Sequence, residues 1–528
     1  MPARRNADPW IAVALVAATL AAWAPLWRNG FSAIDDGAYV AHNPVVLAGL
    51  SWRGAAWAFQ TRTAANWHPL TWLSLMLDAQ LFGAGATGYH ATNLLLHLLN
   101  VLLVFVGLRG AQAARWPSAL AAALFALHPL RVDSVAWVAE RKDVLCAFFY
   151  LLALVAWGRF ARGLRFGWGS ALAACALALL AKPMAVSLPL ALWIVDRWPL
   201  RRRIPLRREL LETLPFFALS AASCVVTLWV QLSSGATEAW LRPPLWARLA
   251  FTPVAFLRYL ELTLWPADLA VLYPHPGTSL AMGEVVAALG VLLAITAFAF
   301  ESRRKRPWLS WGWAWFLVTL VPVIGVVHVG FQGIADRYTY LPSLGLSVAF
   351  AFGAAELAQR LRVPSAARAV LAAAALGALA VLTFRQLVVW RDGPTLLQHA
   401  LAVTRDNFAV HAYLANELAS AGRRDEAIAH YREALRIRPD FPHAHYGLGV
   451  TYEEQGQLGP AIDEYEAALR ANPDFANAHF NLANLLAQSG RLEEAELHYR
   501  RALALDPANE GAERGLALVE QLLRQRQR

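Results

Sequence analysis

With 528 residues, 58% of them hydrophobic and only 16% charged, 22 Trp and a mean hydropathy of +0.39, the chain has the profile of a polytopic membrane protein. That profile excludes a soluble domain built around one large core. The net charge of +10 gives no sign of a nucleic-acid partner, because the basic residues lie mostly in short loops between apolar runs, where they orient membrane helices.

Arg4 and Arg5 precede an apolar run, Ile11 to Ala22, and Ala22-Trp23-Ala24 offers a small-residue cleavage pattern. Pro25 just past that point disfavours cleavage, so the run reads as an uncleaved first helix. Asp35 and Asp36 follow, in Ile34-Asp35-Asp36-Gly37-Ala38-Tyr39-Val40. Two adjacent carboxylates at a membrane mouth are costly to desolvate together, and either can act as a base or a metal ligand. A solvated loop turning at Gly37 is the simpler reading of these two residues alone.

Apolar runs long enough to span, or nearly so, fall at about 11–27, 92–108, 118–130, 144–158, 168–181, 184–195, 213–232, 280–300, 309–326, 341–357 and 369–385. Basic clusters at Arg109 and Arg115, at Arg159, Arg162 and Arg165, at Arg197 to Arg208, at Arg303 to Arg306 and at Arg360 to Arg368 set the orientation. With all of these in the cytoplasm the sequence predicts about eleven spans, with 28–90, 131–143 and the C-terminus outside. Leu245 to Trp265 is apolar but carries Arg248, Arg258 and Glu261, and reads as a helix lying on the outer surface or dipping into it. Trp52, Trp57, Trp67 and Trp72 would suit the same interface. Cys146, Cys175 and Cys224 sit in apolar runs with no metal or disulfide spacing, which argues against redox chemistry.

The C-terminal quarter repeats every 34 residues: Pro439, Pro473 and Pro507; Gly422, Gly456 and Gly490; Tyr431, Tyr465 and Tyr499. This predicts three helix–turn–helix units of tetratricopeptide type over 407–508, a linker at 391–406, and a capping helix at 509–528. His411, His445 and His479 share the spacing. A ladder of imidazoles is one reading, and a packing position on each first helix is the favoured one.

Several long strings resemble the transmembrane and tetratricopeptide repeat-containing family: the Asp35–Val40 run, Asn66-Trp67-His68-Pro69-Leu70-Thr71-Trp72-Leu73-Ser74, His128-Pro129-Leu130, Ser134 to Asp143, Ala181-Lys182-Pro183-Met184 and Ala335 to Pro342. The match covers most of 30–345. The resemblance implies an all-α, polytopic helix bundle of the GT-C glycosyltransferase type over 1–390, followed by a tetratricopeptide-repeat solenoid. It implies transfer of a sugar, by analogy mannose, from a polyprenyl-phosphate donor to a protein hydroxyl, with the repeats holding the acceptor protein or peptide. The expected setting is the inner (plasma) membrane, with the repeats in the periplasm or other extracytoplasmic space.

Such a transfer needs a base for the acceptor proton and cations for the phosphate that leaves. Asp35, with Asp36 second, is the expected base. Arg141, Lys142, Lys182 and Arg337 fall at outer helix ends and are the expected phosphate contacts, although Arg and Lys also snorkel there. His68, His128 and Asp336 are candidates for orienting substrate. Asp133 and Glu140 could join the acid pair around magnesium or manganese, but nothing in their spacing demands a metal. Two alternatives stand beside this reading: a non-catalytic membrane-anchored repeat scaffold, and a transferase acting on lipid or glycan.

Overall fold

The structure, a computed structural model, describes residues 7–233, 243–325 and 332–526. Arg4, Arg5 and the last position of the 309–326 run lie outside them. The chain is nearly all α-helix and divides into two compact units, Met1–Leu396 and Leu397–Arg528. The only strands among the described residues are the short antiparallel pair Tyr273–Pro274 and Gln332–Ile334.

Each of the eleven apolar runs carries a helix, but five are long and apolar enough to cross a membrane: Ala86–Gly110, Val138–Ala161, Leu206–Ser233, Met282–Ser302 and Ser365–Val389. A sixth arises if Arg115–Leu127 and Pro129–Ala136, bent by 57°, count as one broken span. The expected count of eleven is therefore corrected downward. Asp8–Ala22 and Gly167–Ala181 are apolar but short, while Leu188–Arg197 has 10 residues and Pro307–Leu320 has 14. Prolines explain much of the shortening, since Pro cannot continue a helix ladder. Pro129, Pro183 and Pro322 each open a tight turn where an apolar run would otherwise continue.

Lipid accounts for the outermost helices. Val286, Leu293, Val370 and Leu371 are more than half exposed, on Met282–Ser302 and Ser365–Val389, where water would leave a large apolar face unsatisfied. Inside the unit, helices Pro307–Leu320 and Ser343–Arg360 approach through Gly312 and Gly345, where a Cβ on Gly345 would strike the Gly312 carbonyl oxygen. Leu245–Leu264 is a helix, as read from the sequence, and is not among the spanning candidates. Trp72 departs from its expected interfacial place: it is fully buried, stacked on Tyr39 at 4.7 Å.

In the second unit, helix pairs Phe408–Ser420 with Arg424–Ile437, Pro442–Glu454 with Leu458–Ala471, and Ala476–Gln488 with Leu492–Leu505 stack in order, closed by Glu510–Arg526. Gly422, Gly456 and Gly490 end the first helix of each pair with φ of 78°, 73° and 75°, a conformation that costs a residue with a Cβ. The stretch expected as a linker carries its own helix, Gly393–Val403.

Candidate active site

The tight turns that interrupt the apolar helices gather at one end of the membrane unit. Irregular backbone within such a bundle is tolerated only where it is buried in protein or lines a cavity. Here Pro129–Arg131, Val138–Glu140 and Asp336–Thr339, with Lys182 just before Pro183–Ser187, carry charged side chains into the protein.

Asp35 and Asp36 are adjacent but have opposite surroundings. Asp36 is fully buried, and both its carboxylate oxygens are spoken for: Oδ2 accepts from the Ser32 N–H and Oδ1 from the Ala139 N–H, each at 2.7 Å. Burial pushes its carboxyl up to about 7, against those two bonds, which favour the charged form. Asp35 is exposed and has φ +62°, a left-handed conformation that an aspartate accepts at some cost. The segment is held on both sides of it, because the Trp137 indole donates to the Ile34 carbonyl oxygen at 2.9 Å while Asp36 takes Ala139. Strain plus a clamp fixes where the Asp35 carboxylate stands. Its pKa is raised, first by the surrounding protein, with Lys142 and Arg337 pulling the other way and Glu140 adding to the rise.

Beside it, three cations converge on Glu140. Lys142 Nζ lies 3.1 Å and Arg337 Nε 3.3 Å from Oε1, and Lys182 Nζ lies 3.3 Å from Oε2. Lys182 also pairs with Asp143, and Arg337 with Asp133 at 3.4 Å. Among the described residues Lys142 has no second carboxylate contact; it sits 4.7 Å from the centre of the Tyr39 ring and 3.4 Å from its hydroxyl. The Arg337 guanidinium stacks over Trp137 at 4.9 Å, which links the cation cluster to the clamp on Asp35. Lys142, Lys182 and Arg337 together balance Glu140, Asp143 and Asp133, a largely buried set of ions that is expensive to assemble, and Lys142, with its one carboxylate contact, is the cation best placed to meet a further anion.

Not every expected residue belongs here. Arg141 stands apart from the cluster: it is fully buried and bonded to Asp78 at 2.5 Å, the Ser74 hydroxyl at 2.7 Å, the Tyr89 carbonyl oxygen at 2.9 Å, and Asn93. It locks helices together and has no face for a phosphate. His128 also stands apart from the cluster. Its Nδ1 accepts from the Leu130 N–H and its Nε2 bonds the Thr263 carbonyl oxygen at 3.0 Å, so it caps a turn and ties it to Leu245–Leu264. Asp336 accepts from the Tyr273 hydroxyl at 2.9 Å and lies buried behind Arg337, its carboxyl held well above the usual range by burial and by Asp133.

His68 is buried against both Tyr39 and Trp72, at ring distances of 5.5 and 5.1 Å, and burial with Lys142 nearby keeps it neutral. Its Nε2 has no hydrogen-bond partner among the described residues, so it retains a polar atom beside the cations. Asp133 and Glu140, the weak metal candidates, are both neutralised by cations. Among the described residues no three His, Cys, Asp or Glu gather to hold an ion. Sequence reasoning missed Tyr39, Trp137 and Asp143 as parts of the cluster, although all three stand inside the quoted strings.

In the repeats, His411, His445 and His479 each meet a residue of the second helix of their own unit, His430 at 3.0 Å, Glu464 at 2.6 Å and His498 at 2.8 Å. They are intra-repeat contacts and not a ladder.

Comparisons with known proteins match both the repeats and most of the chain. Family models described as "TPR repeat" and "Tetratricopeptide repeat" match residues 415–456 and 454–510. The chain is similar to Protein O-mannosyl-transferase Tmtc1 of Drosophila melanogaster, 26% identical over 483 residues, which cover 72% of this chain and 55% of that one. It is also similar to Protein O-mannosyl-transferase TMTC4 of Homo sapiens, 27% identical over 476 residues, or 76% and 63% of the two chains. It thus spans less than two thirds of the length of either relative. Among solved structures, the first TPR of Spaghetti (RPAP3), bound to an HSP90 peptide, is 25% identical over 22% of this chain and 95% of that one, with a TM-score of 0.22.

Proposed function

From the transmembrane and tetratricopeptide repeat-containing family, to which the chain belongs, we propose that this protein is an inverting glycosyltransferase of the GT-C type. It moves a mannose-like hexose from a polyprenyl-phosphate donor to a protein hydroxyl on the extracytoplasmic side. The repeats recruit the acceptor protein or peptide, as befits a stack of paired helices. The observation that carries this reading is the presentation of Asp35: strained, clamped on both sides, and set beside three cations that share one carboxylate.

In this mechanism the Asp35 carboxylate takes the proton of the acceptor hydroxyl as its oxygen attacks the sugar. The bond from the sugar to the donor phosphate breaks on the opposite face, and the phosphate leaves with the electron pair. Lys142, Lys182 and Arg337 stabilise that developing charge, with Lys142 the most available. Asp36 positions Asp35 by stapling the first outer loop to the second. His68 Nε2 orients a sugar or acceptor hydroxyl.

The arginines concentrated at the opposite end of the bundle support placing this mouth away from the cytoplasm, and the repeats with it. A bare scaffold for the repeats would gain nothing from several buried ions, each of which costs kcal/mol to desolvate. The test is single-turnover transfer from labelled polyprenyl-phosphate sugars to peptide acceptors. Wild type should transfer, and Asp35→Asn should lose about a hundredfold or more in rate with donor binding intact. Transfer by Asp35→Asn at the wild-type rate would sink the assignment.

A further inference from the structure

A second feature of the membrane unit lies at the other end of the bundle. A cavity of about 420 Å³ is walled by Leu103, Leu151, Leu154, Val195, Trp311 and Val348. These come from the C-terminal halves of Ala86–Gly110 and Val138–Ala161, the end of Leu188–Arg197 and the facing helices Pro307–Leu320 and Ser343–Arg360. The recess, as the ion cluster around Glu140 is called from here on, draws on the opposite end of Val138–Ala161 at Glu140 and Lys142, and the two sites share no residue. An aliphatic void of this size offers water few polar partners and is filled best by hydrocarbon.

Two arginines stand at its mouth. Arg162 is fixed across it, donating through Nε to the Gly158 carbonyl oxygen and through Nη1 to that of Gly110, both at 3.0 Å. Arg159 is exposed and makes no side-chain hydrogen bond or ion pair among the described residues. Several other arginines at this end are already paired. Arg109 and Arg115 meet Asp8, Arg202 meets Asp196 and Glu212, and Arg306 and Arg360 meet Glu356. Uncompensated positive charge is thus placed at the opening of an apolar slot. The rim is itself apolar, with Val106 and Leu164 about half exposed, which leaves a path from the surrounding lipid.

We propose that this cavity binds one anionic glycerophospholipid from the leaflet at this end, one acyl chain in the slot and the phosphate at Arg159 and Arg162. Charge complementarity favours that occupant over a zwitterionic lipid, since a basic pocket between membrane helices selects anionic headgroups. The proposal requires the unit to lie in a membrane. It is independent of the sugar-transfer chemistry, and either can fail without the other.

The experiment uses the full chain in nanodiscs that contain phosphatidylglycerol carrying a photoactivatable diazirine near the end of one acyl chain, with adducts mapped by mass spectrometry. Adducts should concentrate on Leu151, Leu154 and Val348 over the lipid-facing Val286 and Val370. Arg159→Ala should lower cavity adducts about fivefold, the effect of one basic residue near an anionic lipid. Leu154→Trp, which fills the slot and keeps both arginines, should abolish them, with thermal unfolding confirming that each variant is folded. Equal cavity labelling by a matching phosphatidylcholine probe would overturn the headgroup assignment. Adducts spread evenly over the lipid-facing helices would overturn the site, and displacement of the probe by equimolar polyprenyl phosphate would assign the slot to the donor instead.

Discussion

The recess and the repeats use the same charged residue types in opposite ways. In the repeats, pairs such as Arg423–Glu426 and Arg491–Glu494 lie at 2.7 and 2.6 Å on exposed helix faces, three residues apart, where water has already settled most of the electrostatic energy. In the recess, Lys142, Lys182 and Arg337 are nearly buried, come from three separate stretches of chain, and share Glu140. The first arrangement follows from local helix geometry and costs little. The second costs several kcal/mol per ion in desolvation before pairing returns any of it, so it persists only where something is gained from the field it makes.

Glu140 is where this contrast breaks most violently. Glu140→Gln removes the carboxylate that Lys142 depends on and leaves Lys182 and Arg337 with Asp143 and Asp133 alone, and removing one partner from a buried ionic group costs about 3–5 kcal/mol. The expected outcome is a large fall in the detergent-solubilised melting temperature together with loss of transfer. An unchanged melting temperature would mean that water fills the recess and screens the cluster. The next effect is smaller and separates neighbours. Lys142→Ala should keep the fold and weaken donor use about tenfold, from losing a charge-assisted contact of about 1.5 kcal/mol or more. Arg141→Ala should do the reverse and lower stability first, because its guanidinium is spent on Asp78, Ser74, Asn93 and Tyr89. Matching donor-binding curves for the two variants would erase the distinction.

That distinction shows what the sequence could and could not carry. Arg141 and Lys142 are consecutive, and no pattern says which turns to a partner helix and which to the mouth. The answer depends on Asp78, 63 residues earlier. Asp35 and Asp36 stand out as a pair, but their division of labour rests on a bond from Ala139, 103 residues away, and on one left-handed φ. Glu140 invites a metal reading because acids are ligands by default, and only the geometry shows cations on both of its oxygens. The repeats were legible almost to the residue, since each Gly, Tyr and Pro there answers a local backbone or packing need that recurs every unit. The span count was not, because hydropathy registers apolar length and passes over the prolines that break it.

Asp36 makes the contrast depend on pH. Its folded pKa of about 7 lies above its unfolded value of 3.8, so between those limits the folded protein holds a proton that the unfolded chain has lost. Stability must then fall as pH rises from about 4 to 7, by up to about 1.4 kcal/mol per pH unit from this group alone. Asp36→Asn cannot ionise and should flatten that slope in thermal unfolding across the same window. A wild type whose stability rises with pH there, with Asp36→Asn unchanged in slope, would show that Asp36 is ionised in the fold.

The smallest expected effect lies in the repeats, and its smallness is the point. Arg491 reaches Glu494 through two hydrogen bonds, at 2.7 and 2.6 Å, geometry as good as any in the recess. Both side chains are largely open to water, so the pair exchanges hydration for contact with little net change and is screened further by salt. Arg491→Ala should therefore leave the melting temperature and the transfer rate of the full chain within error of wild type. Gly490→Ala, one residue earlier, should destabilise the repeats measurably, because it places a Cβ on a backbone at φ 75°. If Arg491→Ala lowered stability as much as Gly490→Ala, exposed ion pairs in this unit would be stronger than hydration allows. The difference between recess and repeats would then be one of degree.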